Sequence, residues 1–211
     1  MTLKAPEKNC TYCERLCAFR RENQLKFPQY YNAPVPSFGD LDAEILIVGL
    51  APGLHGANQT GRPFTNDYAG DVLYPILKAN DLAKGNYQKK KDDGFELINV
   101  RVTNAVRCVP PENKPTTAEE KTCRSFLAAE IAAMPNLRII LSLGTISHKN
   151  VLQALGLKQS YAQFGHGMIH DLPKHNLKLI DSYHTSRYNI NTGVLTYEMF
   201  DNVIKKIKTL L

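Results

Sequence analysis

The 211-residue chain has no apolar run close to the ~20 residues that a membrane-spanning helix requires, so no membrane association is expected. Its first ten residues, MTLKAPEKNC, carry no apolar leader. The protein is therefore read as cytoplasmic, in a compartment where thiols stay reduced. No internal repeat and no low-complexity segment is present, which removes repeat architectures. A strong charge imbalance is missing too: 26 Lys and Arg stand against 20 Asp and Glu, with a pI near 9.0. An excess of six permits an anionic partner such as nucleic acid without requiring one. No Gly-Lys-Ser/Thr closes the glycine-rich bend after the first apolar segment, so the bend is not a Walker loop. The spacing of Gly49, Gly53 and Gly56 does not fit a dinucleotide fingerprint. A magnesium-ligand pattern is also lacking, which weighs against a nucleotide-phosphate enzyme built on that bend.

What is present is an ordinary globular composition, 43% hydrophobic and 22% charged, of a length suited to one domain over 1–211. Residues 9–24 read as a helix after a cysteine-bearing turn, and 27–40, with three prolines, as an extended connector. AEILIVGL (43–50) is a continuous apolar run and predicts a buried strand. A helix is expected over 68–82, kinked or bounded at Pro75, then a charged surface loop over 85–94. Residues 95–106 predict a second strand, followed by an irregular Pro-rich segment. Helix 117–134 opens on Thr117 as N-cap with Glu120 as its capping-box partner. Strands over 137–144 and 177–184 flank a helix over 145–155. The chain closes on an amphipathic helix with Leu195, Met199, Val203, Ile207 and Leu210 on one stripe. Alternating strands and helices predict an α/β fold, a three-layer α/β/α sandwich with a mostly parallel sheet of about four strands.

Ligands of such sheets collect beyond the carboxyl ends of the strands. Those ends carry GLAPGLHG, TNAVRC, LGTIS and YHTSRYN. The first can form a backbone nest for an anion, although glycine and proline after a strand more often make a plain turn. Phe64, in TGRPFT, is either a core plug or a stacking platform for a planar ligand. Cys10 and Cys13 form a C-x-x-C pair. Cys108 follows the second strand and Cys123 lies on the next helix, so the Pro-rich bend can bring both pairs to one four-thiolate site. Spacing leaves zinc and iron–sulfur both open, and Cys17 is surplus.

Taken in order, CTYCERL, GLAPGLHGANQTGRPFT, TNAVRCVPPENKP and HTSRYNINTGVLT resemble the uracil-DNA glycosylase superfamily. They are most similar to its iron–sulfur-containing family 5, also called type B, and the likeness spans nearly the whole chain. It implies excision of uracil and related deaminated bases from DNA. It also implies a 4Fe–4S cluster on Cys10, Cys13, Cys108 and Cys123, with zinc the lesser choice. The damaged base must leave the stack to be reached. By resemblance Phe64 covers its face, and Asn104 reads its edge with a donor and an acceptor. His184 donates to the oxygen on which charge builds. At the positions where uracil-specific relatives place a water-binding polar group and a bulky aromatic, this chain has Ala51 and Gly53. Asn58 is then the first candidate to position water and Asp67 the second. The room left at Gly53 implies a broader base range. Ser186, Arg187 and Asn189 fall in a loop that meets DNA, with Thr185 where the family has proline. Without a motif lysine no Schiff base forms, so a monofunctional enzyme is expected. It is expected to be a monomer acting on uracil-containing DNA. A nucleic-acid-binding module without cleavage is the alternative, supported mainly by Ala51.

Overall fold

Two largely apolar segments and two mixed ones become the four parallel strands of the sheet. In the computed structural model, which describes residues 3–211, these are β1 (Ile45–Gly49), β4 (Val100–Asn104), β5 (Ile139–Leu143) and β7 (Leu177–Ser182). Met1 and Thr2 of the expected domain lie outside the described residues. A fifth strand, β6 (Ile169–Leu172), pairs antiparallel with β7 and completes the order β4-β1-β5-β7-β6. The sequence reading missed β6 because an edge strand bonds on one side only and needs no apolar run. A two-residue pair, β2 (Ala83–Lys84) and β3 (Glu96–Leu97), forms a separate hairpin. It splits the strand expected over 95–106. Asn99, with φ +56°, separates β3 from β4, and its side chain bonds to Glu44.

The helices are α1 (Glu14–Lys26), α2 (Ala57–Thr60), α3 (Tyr68–Ala79), α4 (Thr117–Ala133), α5 (Thr145–Ala154), α6 (Arg187–Asn191) and α7 (Tyr197–Lys208). Side chains alternate across β1. Ile45 and Ile47 pack into a core with α3 and α7, while Leu46 and Val48 face a core with α4 and α5. These are the three expected layers. Helix α3 runs through Pro75 without ending. On α7, Phe200 and Ile204 join Val203 and Ile207 in the buried stripe. Among the described residues, no helix is long and apolar enough to cross a membrane.

The capping box of α4 sits one residue earlier than expected. Thr116 accepts from the Glu119 amide at 3.3 Å, and Glu119 accepts from the Thr116 amide at 2.7 Å. Both registers satisfy the pattern locally. Arg15 decides between them by gripping Glu119 with two bonds of 2.7 and 2.8 Å. Glu120 is taken by Asn150 and Lys149, each at 2.7 Å.

Candidate active site

The chain leaves β1 for β4 on one side and places β5 on the other, so a crevice opens at the carboxyl end of β1. A cavity of about 390 Å³ lies there. Ala51, Gly53, Phe64, Asp67, Asn104, His184, Ser186 and Arg187 all line it. The ring, the amide and the imidazole singled out from distant parts of the sequence thus face one space. Tyr68 and Asn113 also line it. Nothing in the sequence marked them beyond their nearness to Asp67 and the Pro-rich segment.

Gly49 explains how Phe64 and Asn104 share a wall. The register pairs Gly49 with Asn104 across β1 and β4. A Cβ on Gly49 would stand 2.5 Å from Asn104 Oδ1 and 2.5 Å from the Phe64 ring, so only glycine allows both side chains to close in. Asn104 is 4% exposed. Its amide bonds to no other described side chain, which leaves a donor and an acceptor facing the cavity. The Phe64 ring lies beside the His184 ring, with centroids 6.1 Å apart and planes 29° apart.

The His184 ring likewise has no hydrogen-bond partner among the described residues. Burial lowers its pKa to about 4, so the imidazole is neutral at pH 7 and keeps one N–H to donate. Its backbone is braced: Asn189 Nδ2 donates to the His184 carbonyl at 2.8 Å. Ser186 caps α6 by accepting from the Asn189 amide at 3.3 Å. Thr185 is fully buried, and its hydroxyl donates to the Ala69 carbonyl at 3.3 Å, a bond that proline could not make. The side chain of Arg187 lies over the Tyr68 ring at 5.3 Å on the cavity rim.

Of the two water-positioning candidates, the structure brings only Asp67 into the cavity. Asp67 caps α3 through Oδ1, which accepts from the Gly70 amide at 2.8 Å. Its Oδ2 lies beside Gly56, where a Cβ would approach to 2.9 Å. Burial raises its pKa. Asn58 is 1% exposed and does not line the cavity. Its amide donates to Asn32 Oδ1 at 2.9 Å, tying the bend to the connector instead of meeting a ligand. Ala51 forms part of the wall and also packs on the cysteine cluster behind it. At Gly53 a Cβ would meet nothing within 4 Å.

Behind Ala51, a second cavity is lined by Cys10, Cys13, Cys17, Cys108 and Cys123. Burial and the other thiols push the Cys13 thiol up to about 11 and Cys108 up to about 12, and Cys123 is raised as well. A cationic group among them would reverse both effects, so this donor set suits a metal centre. Cys17 turns aside, donating to the Cys10 carbonyl at 3.2 Å. The segment leaving Cys108 reaches the first cavity at Asn113.

A mostly parallel sheet in an α/β/α sandwich, with a cavity at its carboxyl ends walled by an aromatic ring, a free carboxamide and a neutral imidazole, defines a class: a ligand-binding α/β/α protein equipped to polarise an oxygen of its ligand. Comparison with known proteins narrows the class. Residues 36–208 match the model of the uracil DNA glycosylase superfamily. A type-5 uracil-DNA glycosylase of Thermus thermophilus is 42% identical, covering 95% of this chain and 93% of that protein. One from Pyrobaculum aerophilum is 37% identical over 94% of this chain and 87% of its own length. One from Mycobacterium leprae is 37% identical over 99% and 94%. The chain belongs to the uracil-DNA glycosylase superfamily.

Proposed function

We propose that this protein is a type-5 uracil-DNA glycosylase. It takes uracil out of the DNA duplex and hydrolyses the N-glycosidic bond, leaving an abasic site. The carrying observation is the single cavity shared by Phe64, Asn104 and His184. The flipped base slides under the Phe64 ring. Asn104 pairs with the O4 and N3–H edge of uracil and misfits the reversed edge of cytosine.

As the bond to C1′ breaks, the electron pair moves onto the uracil ring and positive charge onto the sugar. His184, already neutral, donates its N–H to O2 as charge grows there. It therefore stabilises the transition state more than the ground state. An oxocarbenium-like sugar needs only a weakly activated water, and Asp67 Oδ2 positions it. The water adds to C1′ and loses a proton, and the departing uracil carries the bonding pair. No lysine lines the cavity, so no Schiff base forms and the DNA strand stays intact. The open space at Gly53 admits 5-substituted uracils and other deaminated bases. Arg187 and Ser186 meet phosphates at the rim, and the enzyme works as a monomer.

Cys10, Cys13, Cys108 and Cys123 hold a 4Fe–4S cluster in this reading. Four sulfurs around one zinc would lie about 3.8 Å apart, given Zn–S bonds of ~2.3 Å. Among the described residues, no three cysteine sulfurs come within 4.8 Å of one another, a spacing that favours the larger centre. When bound, the cluster supplies a four-point cross-link between the N-terminal segment and the Pro-rich loop. The test is incubation with a duplex bearing one uracil, followed by alkali. The expected result is alkali-dependent cleavage at that site and none without alkali. Binding with no alkali-labile product would overturn the reading.

A further inference from the structure

The lysine-rich loop from Gly85 to Gly94 reads in sequence as plain charged surface. Two of its residues, Tyr87 and Asp93, turn inward. Asp93 grips Arg62 with two bonds of 2.8 Å, and both side chains are at most 3% exposed. Asp93 also accepts from the Gln88 and Phe95 amides at 2.8 and 3.0 Å, which closes the loop upon itself. The Arg62 guanidinium lies among three rings, 5.0 Å from Phe38 and 5.7 Å from both Tyr74 and Tyr87.

Besides its bonds within the loop, the cluster makes four polar contacts to the segment that carries Phe64. Arg62 Nε donates to Thr65 Oγ1 at 2.8 Å. The Tyr74 hydroxyl donates to the Pro63 carbonyl at 2.5 Å. The Tyr87 hydroxyl donates to the Phe64 carbonyl at 3.2 Å and accepts from the Asn66 amide at 3.2 Å. Phe64 itself has φ +50°, the left-handed region that a phenylalanine adopts only when its surroundings over-determine it. A Cβ on Gly70 would stand 1.7 Å from the Phe64 carbonyl and 2.8 Å from the Tyr87 hydroxyl, so only glycine at 70 allows the Phe64 carbonyl and the Tyr87 hydroxyl to pack this closely against α3.

We propose that Arg62, Asp93 and Tyr87 form a positioning clamp that fixes the Phe64 ring against the flipped base, making the 85–94 loop part of the excision apparatus. This rests on the reading of Phe64 as the stacking surface. Tyr87 is the cleanest handle, because Tyr87→Phe keeps the ring against Arg62 and removes only the hydroxyl.

The experiment is a double-mutant cycle on uracil excision, run with wild type, Tyr87→Phe, Phe64→Ala and the double variant. Circular dichroism melts establish that each is folded at the assay temperature. A misplaced reacting group costs up to ~100-fold, so Tyr87→Phe is expected to lower kcat about 10-fold with KM within about twofold. The double variant is expected to match Phe64→Ala, since a clamp has nothing left to hold. If Tyr87→Phe lowers the melting temperature but leaves kcat intact, or if the two losses multiply, the clamp is overturned and the stacking role of Phe64 survives. If Phe64→Ala excises uracil at the wild-type rate, the stacking role falls and the clamp with it. Arg62→Lys, which keeps the charge and loses the fork, is expected to repeat the Tyr87→Phe pattern. A wild-type kcat in that variant would likewise overturn the clamp.

Discussion

Two histidines sit near the carboxyl end of β7 and are treated in opposite ways. His148, on α5, is saturated: its Nδ1 meets Asp181 Oδ1 at 2.8 Å and its Nε2 meets the Ala162 carbonyl at 3.0 Å. Both partners are acceptors, an arrangement that favours the doubly protonated ring. Burial lowers its pKa, but the Asp181 bond and charge and the Ala162 carbonyl outweigh it, and the net shift is upward. Asp181 also accepts from Ser142 at 2.7 Å, His170 at 2.9 Å and the Gly165 amide at 3.3 Å. His184, two residues past the strand, faces a cavity with no partner and a pKa lowered to about 4. Polar groups with every bond made hold the fold together. Polar groups left free beside an empty volume wait for a ligand.

The largest effect should come from breaking the saturated side. Asp181→Ala removes the acceptor shared by Ser142, His148, His170 and the Gly165 amide and is expected to lower stability by about 3–5 kcal/mol, read by urea unfolding, with kcat little changed in the folded fraction. His184→Ala should do the reverse. It removes one donor to the developing anion and is expected to cost about 2.7–4 kcal/mol of barrier, 10²–10³ in kcat, with nearly unchanged unfolding. An equal loss of stability in both variants would erase the distinction.

The pH dependence sharpens it. The His184 pKa is lower in the folded state than in the unfolded one, so stability is full above about 6.5 and declines as pH falls toward about 4. The His148 pKa is raised on folding, so its contribution is full below about 6.5 and is lost as pH rises through the folded value. Unfolding curves should show a smaller decline between about pH 6.5 and 4 in His184→Gln, and a smaller decline on the alkaline side of about 6.5 in His148→Gln.

Smaller changes probe the cavity wall. Gly53→Tyr enters open space and should leave stability within about 0.5 kcal/mol. Excision of 5-substituted uracils should fall at least about 10-fold relative to uracil, measured on a panel of damaged duplexes. Thr185→Val removes only the bond to Ala69 and should cost about 1 kcal/mol of stability.

Much of the fold was legible in the sequence, because strands alternate with helices and β1 and β5 are largely apolar runs buried on both faces. The polar edge strand β6 and the two-residue hairpin had no such signature. Asn104 and His184 drew notice because they stand at or just past strand ends, where α/β sheets bind ligands, whereas Phe64, fifteen residues beyond β1, was marked by the family resemblance. Asn58 was misjudged as a ligand-facing group, since the residue that claims it, Asn32, lies 26 positions away. The 85–94 loop is the charged surface segment that was expected, but its tie to the core was hidden for the same reason: Asp93 is 31 positions from Arg62.

The amino-acid order by itself determined the layers, the strand ends and the kinds of side chain delivered there, because apolar periodicity and turn chemistry act over a few residues. Only the tertiary structure decided which polar groups are used up and which stay free. A hydrogen-bond partner is chosen by distance in space, and residues such as Asp181, Asp93 and Asn32 reach theirs only after the chain has folded.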